Sequence, residues 1–132
     1  MLNQLKFIGI ILILLALIHI IFPKYFNWKK ELNSLSLINQ QLMVVHTFFV
    51  ALIVLLMGIL CLTSSNDLIF TKFGNTISFG LGIFWSFRLL FQIFVYKKQL
   101  WLGKKFETFV HFLFIFLWLY LSIFFFYIAL AK

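Results

Sequence analysis

The sequence has one cysteine, one proline, six glycines and three acidic residues in 132, and only 11% of it is charged. Each shortage excludes something. A single cysteine, Cys61, cannot form an intramolecular disulfide and leaves the redox compartment unread; near the end of an apolar run it serves as a small buried hydrophobe. There is no Pro- or Gly-rich linker, no internal repeat, no Gly-rich phosphate loop and no zinc-protease motif. The scarcity of charge excludes most. Soluble domains carry about 25% charged and about 45–50% apolar residues, whereas this chain is 64% hydrophobic. Its polar residues are too few to coat a globule, so the composition requires a bilayer as solvent.

What charge there is has one sign. Eleven basic residues against three acidic ones give a formal net charge of +8, which invites a nucleic-acid reading. Position decides against it: ten lysines and one arginine sit almost wholly in the short segments between apolar runs, beside Trp and Tyr, as anchors at a membrane interface do. A basic face for nucleic acid would need an exposed surface to sit on, so no nucleic-acid partner is expected. The opening MLNQLK and its apolar run lack a small-residue cleavage motif before Phe22-Pro23-Lys24, so the first helix is expected to stay in the mature protein.

A spanning helix needs about 20 mostly apolar residues, because the hydrocarbon core is ~30 Å thick and a helix rises ~1.5 Å per residue. Four stretches qualify, at about 5–22, 41–62, 76–96 and 106–131. The first is expected to stop at Pro23, which cannot continue a helix; the second ends in Thr63-Ser64-Ser65-Asn66-Asp67, and the third opens after Gly74-Asn75. Runs this long do not alternate as barrel strands must. The expected fold is all-α: residues 1–132 as a single transmembrane domain, an integral membrane four-helix antiparallel bundle.

The first and third loops carry seven lysines (Lys24, Lys29, Lys30, Lys97, Lys98, Lys104, Lys105), the opposite side three (Lys6, Lys72, Lys132). By the positive-inside rule, loops 23–40 and 97–105 are expected in the cytoplasm and both termini outside an inner membrane. Within the first loop, Tyr25, Trp28, Leu32 and Leu35 fall on one helical face. Residues 25–36 thus suit either an interfacial helix with lysines near anionic lipid or an irregular loop anchored by Trp28. Trp101 reads simply as an interface anchor.

An ionisable group inside a span costs about 2.5–3.5 kcal/mol for Arg at a helix centre on insertion scales, so it faces the bundle and has a partner. The exceptions to the apolar pattern are His19, His46, Arg88, Gln92, Glu107 and His111, and the topology places His19, His46, Arg88 and His111 in one layer beneath the cytoplasmic surface. Two stripes, Ser78-Gly82-Trp85-Arg88-Gln92 and Glu107-His111-Trp118-Ser122, step by three and four along single helix faces. Glu107 can hydrogen-bond His111 one turn on and fix its tautomer. It is also the one acid within reach of Arg88, since Glu31 lies in the first loop and Asp67 on the other side.

Several readings follow from that cluster. In one the network is structural: Arg88 pairs with Glu107, the histidines bond carbonyls and Gln92, and the chain is a non-catalytic accessory or structural subunit. In another, a polar intramembrane pocket near the cytoplasmic leaflet binds a lipid-like or quinone-like ligand, with Arg88 as anion or carbonyl clamp and His46, His111, Glu107, Gln92, His19 and Trp85 around it. A third makes His46, His111 and Glu107 ligands to a metal, or His46 and His111 axial ligands to haem; no His-x-x-x-His or Glu-x-x-His pair supports it. A homo-oligomeric pore lacks a polar stripe running from face to face. No catalytic residues are expected: Ser78 and Ser86 have no histidine at matching depth. The cofactor stays unknown, and membrane lipid, a quinone, further copies of the chain or partner membrane subunits are the open partner classes.

A first span closed by Phe22-Pro23, a second ending Gly58-Ile59-Leu60-Cys61-Leu62 and a third holding Arg88 resemble the layout of small DoxX-like four-helix membrane proteins. The resemblance implies a role tied to quinone-linked oxidation or that of an accessory membrane subunit.

Overall fold

In a computed structural model, which describes Met1–Tyr96 and Lys98–Leu130, every regular element is helical. Lys97 and Lys132 of the lysine tally, and Ala131 at the end of the expected fourth span, lie outside the described residues. The helices are α1 (Leu2–Ile18), α2 (Phe22–Tyr25), α3 (Trp28–Glu31), α4 (Leu37–Thr63), α5 (Ser65–Phe70), α6 (Lys72–Phe94) and α7 (Lys105–Leu130). Three of them, α4, α6 and α7, are long and apolar enough to cross a membrane. Four were expected. The difference is α1, whose 17 residues rise only about 25 Å. Its chain continues from His19 to Ile21 in tightened turns with amides bonded three residues back, His19 to Ala16 and Ile21 to Ile18.

Pro23 does not end that helix as expected. The helix stops at Ile18, and Pro23 instead occupies the first turn of α2, where a missing N–H is harmless and the fixed φ suits a helix start. A continuous helix over 25–36 is likewise absent. Asn27 adopts a left-handed conformation with φ 54°, which a helix cannot propagate through and which Asn tolerates better than most residues. It separates α2 from α3, which a short 3₁₀ turn at Leu32–Ser34 follows directly.

At other boundaries the helices outrun the apolar stretches. α4 begins at Leu37 rather than about 41, because Asn39, Gln40 and Gln41 are polar yet compatible with helix. α6 begins at Lys72 rather than about 76, capped by Thr71, whose Oγ1 accepts from the Gly74 amide at 2.9 Å. Gly74 is therefore inside the first turn of a helix. It is glycine because the Asp67 carbonyl and the Leu68 backbone, in the middle of α5, run through the space a Cβ would need.

The chain forms two compact units, Met1–Ser65 and Asn66–Lys132. In the first, α1 and α4 form a helical hairpin in which glycine meets glycine. A Cβ on Gly9 would stand 2.8 Å from the Gly58 carbonyl and from Leu62, and one on Gly58 would stand 2.8 Å from the Gly9 carbonyl and from Ile13. The pairing of Gly9 with Leu62 and Ile13 with Gly58 makes the two helices antiparallel. Small residues at such crossings let backbones meet where lipid offers no hydrophobic drive for association. In the second unit, α6 and α7 form the other hairpin, also antiparallel: Gly82 abuts the Phe126 ring, while Trp85 meets Trp118 farther along.

Candidate functional site

The stripe predicted on α6 is a buried face: Ser78 (0%), Trp85 (2%) and Gln92 (4% exposed) are all covered, as are Trp118, His111 and Ser122 on α7. Steps of three and four place these residues on single faces, and α6 and α7 turn those faces toward each other. The centre is Gln92. Its Nε2 lies 2.9 Å from Nδ1 of His111, and its Oε1 accepts from the Trp118 indole at 3.3 Å.

That pair of bonds fixes proton positions. An indole Nε1–H only donates, so the Gln92 oxygen must face Trp118 and the NH₂ must face His111. Nδ1 of His111 is then an acceptor, and the neutral ring carries its proton on Nε2. His19 and His46 have the other arrangement. Nδ1 of His19 lies 2.8 Å from the Leu15 carbonyl and Nδ1 of His46 lies 2.9 Å from the Leu42 carbonyl; carbonyls only accept, so Nδ1 donates in both. The His111 ring is further held by Trp101, stacked on it at 4.7 Å and 12°. Trp101 is fixed in turn by its carbonyl, which accepts from the Thr108 hydroxyl and the Lys104 amide.

Arg88 stands at the edge of this network with no acid paired to it among the described residues. Its Nη2 donates to the Tyr96 hydroxyl at 3.2 Å, and its guanidinium lies 5.5 Å from the Tyr96 ring centroid and 5.2 Å from that of Trp118. Trp118 is itself stacked with Trp85 at 5.1 Å and with Phe114 at 5.2 Å. The positive charge thus rests on π-faces, worth roughly 0.5–1 kcal/mol each when exposed and about 2 when desolvated. The expected Arg88–Glu107 pair and the Glu107–His111 bond are both replaced: Tyr96 and Trp118 hold the arginine, and Gln92 sets the imidazole tautomer. Glu107, half-buried, sits in the first turn of α7, where its charge complements the helix N-terminus.

Beside Arg88 an open groove of about 450 Å³ runs along α6, lined by Gly80, Ile83, Phe84, Phe87, Arg88 and Phe91. All but Arg88 are apolar, and a Cβ on Gly80 would meet nothing within 4 Å. Of the residues singled out from sequence, Arg88, Gln92, His111 and Trp85 come together in the second hairpin, with Glu107 one turn before His111. His19 is the residue that caps α1 rather than a member of its last turn, and the exposed His46 lies nine residues into α4; both belong to the first unit. Among the described residues no three His, Cys, Asp or Glu side chains gather to hold a metal ion; of the alternative set, His46 lies in the first unit and His111 and Glu107 in the second.

Two participants escaped the sequence reading. Tyr96 lies past the end of α6 but two helical turns after Arg88, a spacing that could have flagged it. Trp101 passed for an interface anchor because nothing in the sequence shows that its loop folds back onto His111. The buried indole nitrogens of Trp85 and Trp101 have no hydrogen-bond partner among the described residues. Searches of protein-family models, curated proteins and solved structures found no match to the chain.

Proposed function

We infer that this chain is a small polytopic inner-membrane protein, with α1, α4, α6 and α7 as the spans of an antiparallel four-helix arrangement. Both termini lie outside and the lysine-rich loops 23–40 and 97–105 face the cytoplasm. Its second hairpin binds an amphiphile, lipid-like or quinone-like, with the head on Arg88 and the apolar part along the α6 groove. The single observation that supports this is Arg88 itself: a permanent charge in an otherwise apolar groove, one turn before its last lining residue, Phe91, with a phenol and an indole as neighbours and no carboxylate paired with it among the described residues. An uncompensated cation in an apolar span is costly, and an anionic or carbonyl head would offset that cost. The DoxX-like resemblance, with its quinone-linked members, points to the same ligand class.

The test compares amphiphiles extracted from purified wild-type and Arg88→Leu protein by mass spectrometry. Cation–π contacts and one hydrogen bond to a neutral phenol are together worth about 1–3 kcal/mol, so the variant is expected to stay folded while most of the co-purifying ligand is lost. A second substitution acts on the other end. Gly80→Phe adds a side chain whose Cβ meets nothing within 4 Å on a residue that lines the groove, so it should leave the fold intact and displace the apolar part of the ligand. Unchanged ligand recovery in both variants would remove the reading.

The competing reading, an accessory subunit with a structural network, draws on the mutual satisfaction of Gln92, His111 and Trp118. Its signature is the reverse: Arg88→Leu would abolish recovery of folded protein.

A further inference from the structure

We propose that the occupant of the α6 groove is an anionic phospholipid of the surrounding bilayer, its phosphodiester held jointly by the Arg88 guanidinium and the Tyr96 hydroxyl. This rests on the reading of Arg88 as a head-group clamp and narrows it from an amphiphile to one lipid chemistry.

The hydrogen bond between the two side chains carries the argument. Arg88 Nη2 donates to the Tyr96 oxygen at 3.2 Å, so the phenol acts there as acceptor and its own hydrogen remains to be donated. Tyr96 is 41% exposed, which leaves that hydrogen room to turn outward. The guanidinium has five N–H donors, and one is used on Tyr96. Two neighbouring donor groups, one of them charged, therefore serve the same point. A phosphodiester answers both because it carries two charged oxygens on one phosphorus, and Arg forks suit phosphate geometry. A quinone carbonyl presents one neutral oxygen, which would leave the arginine charge uncompensated.

The groove supports the same occupant. Its apolar lining, Gly80, Ile83, Phe84, Phe87 and Phe91, comes from a single helix and runs about 16 Å along it at ~1.5 Å per residue. One wall suffices for a flexible acyl chain lying lengthwise. A flat quinone ring would need a second wall to be gripped. Tyr96 and Arg88 sit toward the C-terminal end of α6, and Tyr favours the head-group level of a bilayer. Among the described residues no carboxylate joins them to receive the ammonium of a zwitterionic head, which favours an anionic lipid.

The experiment is native mass spectrometry of delipidated full-length protein titrated separately with phosphatidylglycerol, phosphatidylcholine, ubiquinone and inorganic phosphate. Wild-type, Tyr96→Phe, Arg88→Lys and Arg88→Gln proteins are compared, each first shown to match the wild-type circular dichroism. Phosphatidylglycerol is expected to bind in preference to the other three. Tyr96→Phe keeps the ring beside Arg88 and removes only the hydroxyl, so it should weaken phosphatidylglycerol about ten-fold or more, the worth of one hydrogen bond to a charged acceptor. Arg88→Lys should weaken it further, by loss of the fork, and Arg88→Gln should abolish the preference. Phosphatidylglycerol binding that is lost in Arg88→Gln but untouched by Tyr96→Phe overturns the two-donor inference and leaves the clamp standing. Saturation by ubiquinone, or by inorganic phosphate as tightly as by lipid, overturns the choice of occupant. Binding indifferent to Arg88→Gln defeats the clamp reading itself.

Discussion

Gly58→Leu is expected to open the first hairpin. At Gly58 a Cβ meets the Gly9 carbonyl at 2.8 Å and the Ile13 amide nitrogen at 3.1 Å, and backbone atoms of a neighbouring helix cannot swing aside as a side-chain tip can. Overpacking a well-filled core already costs about 1–3 kcal/mol. A whole isobutyl group at a backbone-to-backbone crossing should exceed that range, because α1 and α4 must separate along their length and forfeit the close contacts that hold helices together in lipid. Gly9→Leu should behave the same way, since the contact is reciprocal. Gly80→Ala is the control: its Cβ meets nothing within 4 Å, and alanine in a helix interior is favoured over glycine by about 0.5–1 kcal/mol. Unfolding of the three variants by titration with denaturing detergent reads the difference, and a Gly58→Leu protein as resistant as wild type would mean that the glycine crossing does not hold the hairpin.

Gln92→Leu should produce the other large loss. One amide serves two buried partners, so removing it strands the Nδ1 lone pair of His111 and the indole N–H of Trp118 together. Orphaned buried groups cost about 1–3 kcal/mol each, while bonds between membrane helices average about 0.6 kcal/mol, so a loss of about 1–4 kcal/mol is expected in the same detergent titration. Gln92→Glu is more informative. A carboxylate can still accept from Trp118, but it has no hydrogen to offer His111, so the imidazole must present Nδ1–H to it. In ¹⁵N spectra of labelled histidine, wild-type His111 should show the proton on Nε2 and the Gln92→Glu protein should show it on Nδ1. A wild-type signal already protonated at Nδ1 would contradict the hydrogen-bond directions derived from Trp118.

Much of the helical layout was legible because hydropathy over twenty residues is a sum, insensitive to any one position. The boundaries were less so, since apolarity marks where hydrocarbon ends rather than where a helix ends: the Asn-Gln-Gln run at the start of α4 is helical and polar at once. Pro23 misled for a related reason, as the same ring that stops a helix also starts one. The α6 and α7 stripes were readable as faces, and Gln92 with His111 emerged from them, but partner choice was not. Sequence arithmetic matched Arg88 to Glu107 by opposite charge; the folded chain supplied Tyr96 and Trp118, whose attraction for a cation comes from ring quadrupoles that formal charge does not count. Trp101 was beyond reach altogether, because its contact depends on how a loop closes.

The shortness of α1 has a consequence for where this protein is at ease. An apolar rod of about 25 Å is tied by touching glycines to a neighbour of 27 residues, so neither can slide along or lean far from the other to suit a given sheet of lipid. With α1 as one of the spans we infer, the local membrane has to yield instead, thinning around the first hairpin at a cost of fractions of a kcal/mol per ångström. Reconstituted into vesicles of graded acyl length, the protein should resist heat best in the shorter-chain lipids and cluster in the longer ones, a thickness preference of the kind that sorts proteins between cellular membranes.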